Sequence, residues 1–423
     1  MVNTASYAQE KNEEIKAFEF GNTLITDIQS SLEYISVFNQ LLAHKEYFKY
    51  KDYLDMVAWW SSYMGITEKA IEIEDSIFPR KRQAGLFKPA DFVIGDAVKI
   101  IIERSASTQV IMVNEEHRMP RHRLLTTELL KPLYEKGYRY LAVETLSYDS
   151  SWLKNRYPVL KTGTYSKDPV FAEMLRTAVN IGYTLVPYDL NKVPDEYQTM
   201  NSMQRQVFRE EMQAKNIINN ILKKDPAAKI VVHGGRDHIA EVYEMQQMGS
   251  DSFRIGTMAG AFKHFSGIDP FTIDQMRNAE HSDTAFESPV FKWMRTQTNT
   301  GKLNILTDKK TGNLLTVNGE IFDVAVVPSL TKYINGRPSW LIEMPGRQKL
   351  DIDVSKYQPE DSTYFLVQAI YANEDTELAV PADQYAYQKG RKHVFLLLKK
   401  GNYIIRVLNS KGNIMKIWKH HIK

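Results

Sequence analysis

Gln109-Val110-Ile111-Met112-Val113-Asn114-Glu115-Glu116-His117 runs from an apolar stretch straight into ionisable residues. Leu124, Leu125, Leu129, Leu130 and Leu133 follow at helical spacing, and Lys136-Gly137 closes that helix. Tyr138 to Val143 is a second short apolar run, ending at Glu144. Short apolar runs flanking an amphipathic helix are the signature of a strand–helix–strand unit in a parallel sheet.

Further runs extend the pattern at Tyr183 to Tyr188, Lys229 to Val232, Phe253 to Thr257 and Phe322 to Val327. A helix is expected from about Met203 to Leu222, with a stripe of Val207, Met212, Ala214, Ile217, Ile218 and Leu222 ended by Lys223, Lys224 and Pro226. Another is expected from Ile239 to Gly249. Upstream, Ile25, Ile28, Leu32, Ile35, Phe38 and Leu42 recur at three and four, as do Tyr53, Met56, Val57 and Trp60, so two or three packed helices are expected. Phe38, Tyr53, Trp59 and Trp60 read as their core. The polar break Pro79-Arg80-Lys81-Arg82 marks a boundary before Pro89. Beyond about Leu350, the runs Thr363 to Tyr371, His393 to Leu398 and Tyr403 to Leu408 are separated by glycines rather than helices. The expected fold class is therefore α/β: a helical N-terminal segment (1–90), a core with a mostly parallel sheet and flanking helices (91–350), and a small all-β, sandwich-like C-terminal domain (351–423).

Composition narrows the function classes. The 423 residues carry 54 Lys+Arg against 51 Asp+Glu, so the global field gives no reason to expect a nucleic-acid partner. From Lys389 to Lys423 there are ten Lys or Arg and no Asp or Glu, which we read as a solvated β-surface. The absence of cysteine excludes disulfides, thiolate nucleophiles and Cys-ligated metals, so any metal would need His, Asp or Glu. No stretch reaches the roughly 18 apolar residues of a membrane-spanning helix. Ser6-Tyr7-Ala8 has the small-x-Ala form of a signal cleavage site, which points to an exported protein whose leader is missing; the alternative is a cytoplasmic protein with a chance triplet.

In open α/β sheets, ligands bind outside the carboxyl ends of the strands. Four runs end there in ionisable groups: Glu115 and His117, Glu144, Asp189, and His233-Gly234-Gly235-Arg236-Asp237-His238. If those strands are neighbours, carboxylates and imidazoles converge, either to activate water by general-base catalysis or to ligate one divalent ion such as Mn²⁺, Zn²⁺ or Fe. Gly234-Gly235 matches neither a dinucleotide fingerprint nor a P-loop and reads as a tight turn, so no nucleotide cofactor is expected. There is no G-x-S-x-G nucleophile elbow and no H-E-x-x-H motif, leaving activated water as the simple nucleophile.

These motifs resemble a known superfamily. Val113-Asn114-Glu115-Glu116-His117, then Gly137-Tyr138-Arg139-Tyr140-Leu141-Ala142-Val143-Glu144, is similar to the Gly-Glu-x-His, helix, strand-Glu signature of erythromycin-esterase-like proteins and their ChaN-like and TraB/Tiki relatives. Arg209-Glu210-Glu211-Met212 with Asn216 resembles the family's Arg-Asp-x-x-Met-Ala-x-Asn helix, and Lys229 to Ile239 its strand ending in a Gly-or-Asn-x-His turn. Asn114 stands where the family has Gly, and Glu210 where it has Asp. The likeness covers roughly residues 107–260. It implies Glu115 and His117 as a base and ligand pair, Glu144 as a second essential carboxylate, Arg209 as an orienting or oxyanion-stabilising cation and His238 as the partner histidine. His117, His238, Glu144 and His233 are the metal-ligand candidates it suggests.

The first expectation is thus a hydrolase in which Glu115, aided by His117 or His238, activates water against an ester, lactone, amide or peptide carbonyl, with metal assistance as one version. The alternative is a haem, iron or small-molecule binding protein using the same cleft. A third is a structural or adhesive exported protein. The C-terminal β module, lacking clustered acid and base, is expected to pack on the core or to contact a partner, and His420 and His421 read as an exposed pair.

Overall fold

The computed structural model describes residues 4–78, 87–248, 251–298, 300–316 and 321–423. The expected break at Pro79 to Arg82 lies outside the described residues. The described residues of the N-terminal segment form four helices, α1 (Thr4–Thr26), α2 (Tyr34–Ala43), α3 (Lys51–Tyr63) and α4 (Thr67–Ile77), against the two or three that the periodicity suggested. Phe38, Tyr53 and Trp60 are fully buried between them, as expected, while Trp59 is only partly covered and turns toward the core. No helix among the described residues is long and apolar enough to cross a membrane.

The core is one eight-stranded, mostly parallel sheet. Its strands are β1 (Phe92–Asp96), β2 (Val110–Glu115), β3 (Tyr138–Val143), β4 (Thr184–Pro187), β5 (Lys229–Gly235), β8 (Phe271–Asp274), β9 (Leu303–Asp308) and β10 (Val324–Pro328), while β6 (Tyr243–Met248) and β7 (Asp251–Gly256) form a separate hairpin. The spatial order is β1-β9-β10-β8-β2-β5-β3-β4. Only β9 runs against its neighbours, pairing antiparallel with both β1 and β10. Helices α5 (Ala97–Arg104), α6 (His122–Glu135) and α7 (Pro169–Ile181) cover one face through Ile101, the expected leucine stripe of α6, Phe171 and Met174. Helices α8 (Ser202–Ile217) and α9 (Met258–Ser266) cover the other through Ala214, Ile217, Met258 and Phe262. Gly137, at φ +93°, ends α6 in the left-handed region that a side chain resists.

Two expectations need correction, and three strands were not expected. The helix expected from Ile239 to Gly249 is a short 3-10 turn, Arg236–Ile239, followed by strand β6, with Gly249 itself outside the described residues. The run at Phe253 to Thr257 is the second strand of that hairpin and not part of the core sheet. Strands β1, β8 and β9 were not read from sequence, because β8 has only four residues and the other two lie in the edge region of the sheet.

After the short helices α10 (Pro289–Met294) and α11 (Ser339–Ile342), with the two-residue ladder β11 (Tyr333–Ile334) and β12 (Arg337–Pro338), the chain forms small antiparallel sheets. One pairs β13 (Gln348–Asp353) with β16 (His393–Leu398); the other has the order β15-β14-β17-β18, from β14 (Phe365–Tyr371), β15 (Asp383–Tyr387), β17 (Gly401–Leu408) and β18 (Ile414–Ile422). Val367, Ala369, Leu396, Tyr403 and Ile405 fill the space between the two sheets. The N-terminal helices share a further apolar cluster with Leu366, Ala386 and Leu408, so first and last segments of the chain are packed together.

Candidate functional site

Parallel pairing aligns the relevant strand ends. β5 lies between β2 and β3, with Glu115 opposite Gly235 and Val143 opposite His233, and β4 follows β3. The four strands whose ends carry ionisable groups are therefore consecutive in space.

Glu115 is fully buried and its carboxylate is fully engaged. Arg123, at the start of α6, donates to both oxygens (2.7 and 3.0 Å), His117 Nδ1 lies 2.9 Å from Oε1, and His233 Nε2 lies 2.9 Å from Oε2. Burial alone would push this carboxyl up; Arg123 and the two imidazoles outweigh it and hold it well below the usual carboxylate range. An ionised carboxylate only accepts, so both histidines present N–H to it. His233 then accepts from the Thr126 hydroxyl at Nδ1 (2.9 Å), which uses both of its nitrogens. His117 is left with Nε2, which makes no hydrogen bond to a described residue. Tyr165 stacks on the His117 ring (centroids 3.8 Å, planes 20° apart), and Trp59 meets it edge-on.

The second carboxylate, Glu144, is also buried. Arg209 Nη2 donates to its Oε1 (2.9 Å), His238 Nε2 stands 3.4 Å from the same oxygen, and Oε2 accepts the backbone N–H of Gly235. Against the penalty of burial, His238, His117 and Arg209 hold Glu144 below its ordinary value. Arg209 reaches across from α8 and also grips Asp189 through two hydrogen bonds (3.0 and 2.8 Å). Its side chain stays about one-third exposed, making it the open side of the cluster. His238 presents Nδ1 to Glu210 (2.7 Å), whose carboxylate also accepts the Met258 N–H at the start of α9. Burial alone would lower His238, but Glu144 and Glu210 overcome it and raise its pKa.

All five residues expected to be catalytic are thus brought together: Glu115, His117, Glu144, Arg209 and His238. His233 sits beneath them as a support. The two positions that depart from the family pattern each have a part: Glu210 orients His238, and Asn114 ties β2 to the β8 end by donating to Asp274 (2.8 Å) and accepting from the Gln275 N–H (2.7 Å). Four contributors escaped the sequence reading: Arg123, Thr126, Tyr165 and the wall supplied by α3 and α4. There Arg118 pairs with Asp55, Glu74 and Glu116, placing the N-terminal helices directly behind His117.

The glycine pair is part of strand β5 and not a tight turn. A Cβ on Gly234 would come within 2.7 Å of the Tyr188 hydroxyl, and one on Gly235 would overlap His117 Cε1 and Nε2 and lie 2.9 Å from Glu144 Oε2. Gly235→Ala is therefore expected to push the His117 ring out of its stack on Tyr165 and to cost about 1–3 kcal/mol of stability, as overpacking does. A melting curve and the His117 ring resonances on the same sample check this.

Among the described residues, no group of three or more His, Asp or Glu side chains is arranged to hold a metal ion. Both His233 nitrogens are used within the protein, and the Arg209 guanidinium, 3.2 Å from His238 Nε2 and 2.9 Å from Glu144, lies where a cation bridging those two would sit. In this arrangement the Arg209 guanidinium, rather than a shared ion, links His238 to Glu144.

Acid sensitivity follows from the same burial. His122 accepts the Glu116 N–H at Nδ1 (2.8 Å), and burial pushes its pKa down to about 4. An unfolded His protonates near 6.5, so as pH falls from about 6.5 towards 4 the unfolded chain takes up a proton that the folded chain refuses, and stability drops. The loss is roughly 3 kcal/mol from this group, with Glu115 and Glu144 adding to it at lower pH as their depressed carboxyls protonate. A Tm that falls steadily over that window is the expected result.

No family model matches the chain, and no curated protein matches it. Two solved structures are similar in part. The type III effector HopBA1 is 15% identical with a TM-score of 0.29, covering 46% of this chain and 91% of that one. RRSP, a MARTX toxin effector domain from Vibrio vulnificus CMCP6, is 15% identical with a TM-score of 0.24, covering 51% of this chain and 49% of that one. Scores this low relate neither a fold nor an activity to this chain.

Proposed function

We propose that the chain is a metal-independent hydrolase of the erythromycin-esterase, ChaN and TraB/Tiki superfamily, acting on an ester, lactone or amide carbonyl. The observation that carries this reading is the Glu115–His117 pair: Nδ1 is committed to a buried, ionised carboxylate, and Nε2 makes no hydrogen bond among the described residues. That arrangement makes His117 the base and Glu115 the group that orients it, a change from the role first expected for Glu115. His117 Nε2 takes a proton from water while the water oxygen attacks the carbonyl. Arg209, partly exposed and fixed by Asp189 and Glu144, faces the developing oxyanion. His238, kept protonated more readily by Glu144 and Glu210, returns a proton to the leaving oxygen or nitrogen. The C-terminal sheets, in this reading a small sandwich, brace the N-terminal helices that back His117.

The test is a panel of aryl esters, lactones and chromogenic peptides, assayed with and without a chelator on wild type and on Glu144→Gln. Turnover that survives chelation and falls at least a hundredfold in Glu144→Gln supports the proposal. Activity that disappears with chelation and returns with Mn²⁺ or Zn²⁺ contradicts its metal-independent form, and no turnover by wild type on any class contradicts the hydrolase.

A further inference from the structure

The Tyr165 hydroxyl, like His117 Nε2, makes no hydrogen bond to a described residue. The residue is only 8% exposed, yet its oxygen is not one of the fully buried polar atoms that lack a partner, so the little surface it shows includes that oxygen. Stacking on an imidazole needs only a ring, which phenylalanine would supply. A hydroxyl without a partner in a nearly closed place is a cost that the fold itself does not recover. The phenol calls for a partner that arrives from the cleft.

Its position is closely held. The ring lies against His117 (centroids 3.8 Å, planes 20° apart), Trp59 meets it edge-on (5.5 Å, 89°), and Phe171 of α7 packs beside it (6.4 Å). The turn that carries it, Tyr165–Lys167, is tied to α7 by Asp168, whose backbone N–H donates to the Tyr165 carbonyl (3.0 Å) and whose side chain caps the helix and pairs with Arg123. The clamp that holds Glu115 thus also fixes the phenol. Burial above all, then Glu144 and Glu115, push the hydroxyl well above its ordinary pKa, with Arg209 opposing them, so it keeps its proton and has it to donate. Glu144 is the charge that acts on it most, and Glu144 Oε2 and His117 Nε2 lie 2.9 and 2.3 Å from the point a Cβ on Gly235 would occupy. The hydroxyl is therefore on the side of the imidazole where Nε2 opens.

We propose that the Tyr165 hydroxyl is a second donor to the oxyanion, acting with Arg209 on the carbonyl that water attacks; the assignment rests on the hydrolase reading. Arg209 reaches in from α8 and Tyr165 from the turn before α7, helices that cover opposite faces of the sheet, so the carbonyl oxygen is met from both sides. No proton is transferred. The O–H bond to the carbonyl oxygen strengthens as negative charge gathers there, and a donor already in place stabilises the tetrahedral state more than the substrate.

Tyr165→Phe tests this because it keeps the ring and removes only the oxygen, so the melting curve should be unchanged. On the best ester or lactone that wild type turns over, kcat is expected to fall about 10²- to 10³-fold, the range of one oxyanion donor, with KM within threefold. A phosphonate analogue of that substrate, tetrahedral and anionic, should lose affinity by about the same factor as kcat/KM. A kcat within threefold of wild type, a loss confined to KM, or a phosphonate bound equally by both proteins would overturn the assignment and leave the hydrolase standing. A wild type that turns over nothing defeats the hydrolase reading and this assignment with it.

Discussion

Replacing His117 by alanine is expected to lower kcat/KM by about 10²- to 10⁴-fold, the range that a positioned general base contributes. The stability cost should be small by comparison, about 1–2 kcal/mol, because what is lost is one aromatic stack and one hydrogen bond to a carboxylate that keeps other partners. Glu115 retains Arg123 and His233 in that variant. Rates and melting curves measured together separate the two effects. A large fall in Tm with little change in rate would make His117 a structural residue and leave the base to be found elsewhere. Glu115→Gln is also expected to slow turnover, through loss of the charge that holds Nδ1–H, and its residual rate should exceed that of His117→Ala. The reverse order would return the role of base to Glu115.

The largest effect on stability is expected at Arg123. This side chain is completely buried, clamps both oxygens of Glu115, pairs with Asp168 (3.2 Å) and donates to the His117 carbonyl (2.8 Å). Asp168 in turn caps α7, accepting from Val170 and Phe171 N–H. Arg123→Met keeps much of the volume but strands two buried carboxylates without their cation, and removing one partner of a buried pair costs about 3–5 kcal/mol. The expected result is a large drop in Tm, or failure to accumulate folded protein, with α7 loosened as well as the site. Lys in place of Arg should recover only part of this, since an ammonium cannot span both Glu115 oxygens and Asp168 at once.

Much of the fold could be read because its strands are short apolar runs that end abruptly in ionisable residues. Those ends became the site once the crossovers placed β5 between β2 and β3, and that adjacency is a property of topology that local sequence does not carry. The first strand of the hairpin, Tyr243–Met248, was read as helix because Ile239, Val242, Tyr243, Met245 and Met248 fall at spacings that suit one, and Glu, Gln and Met favour it. Pairing with β7 overrides that propensity. Arg123 and Thr126 did leave a signal: they share the buried side of α6 with Leu130 and Leu133, and a charged residue on a leucine stripe calls for a buried partner. Tyr165 left none, since it lies in a 3-10 turn, Tyr165–Lys167, without periodicity. The N-terminal helices looked accessory from their own pattern. Only the packing of Asp55, Trp59 and Glu74 around Arg118 and His117 joins them to the site.

The central claim, that Glu115 fixes His117 as an oriented base, is tested most directly by the tautomer of that imidazole. ¹⁵N-resolved long-range NMR of the ring, with the His117 signal assigned by its loss in His117→Ala, reads which nitrogen carries the proton at neutral pH. The account predicts a proton on Nδ1 and a bare Nε2, with that preference weakened in Glu115→Gln. A proton found on Nε2 alone would contradict it, because His117 would then have no basic nitrogen directed away from Glu115.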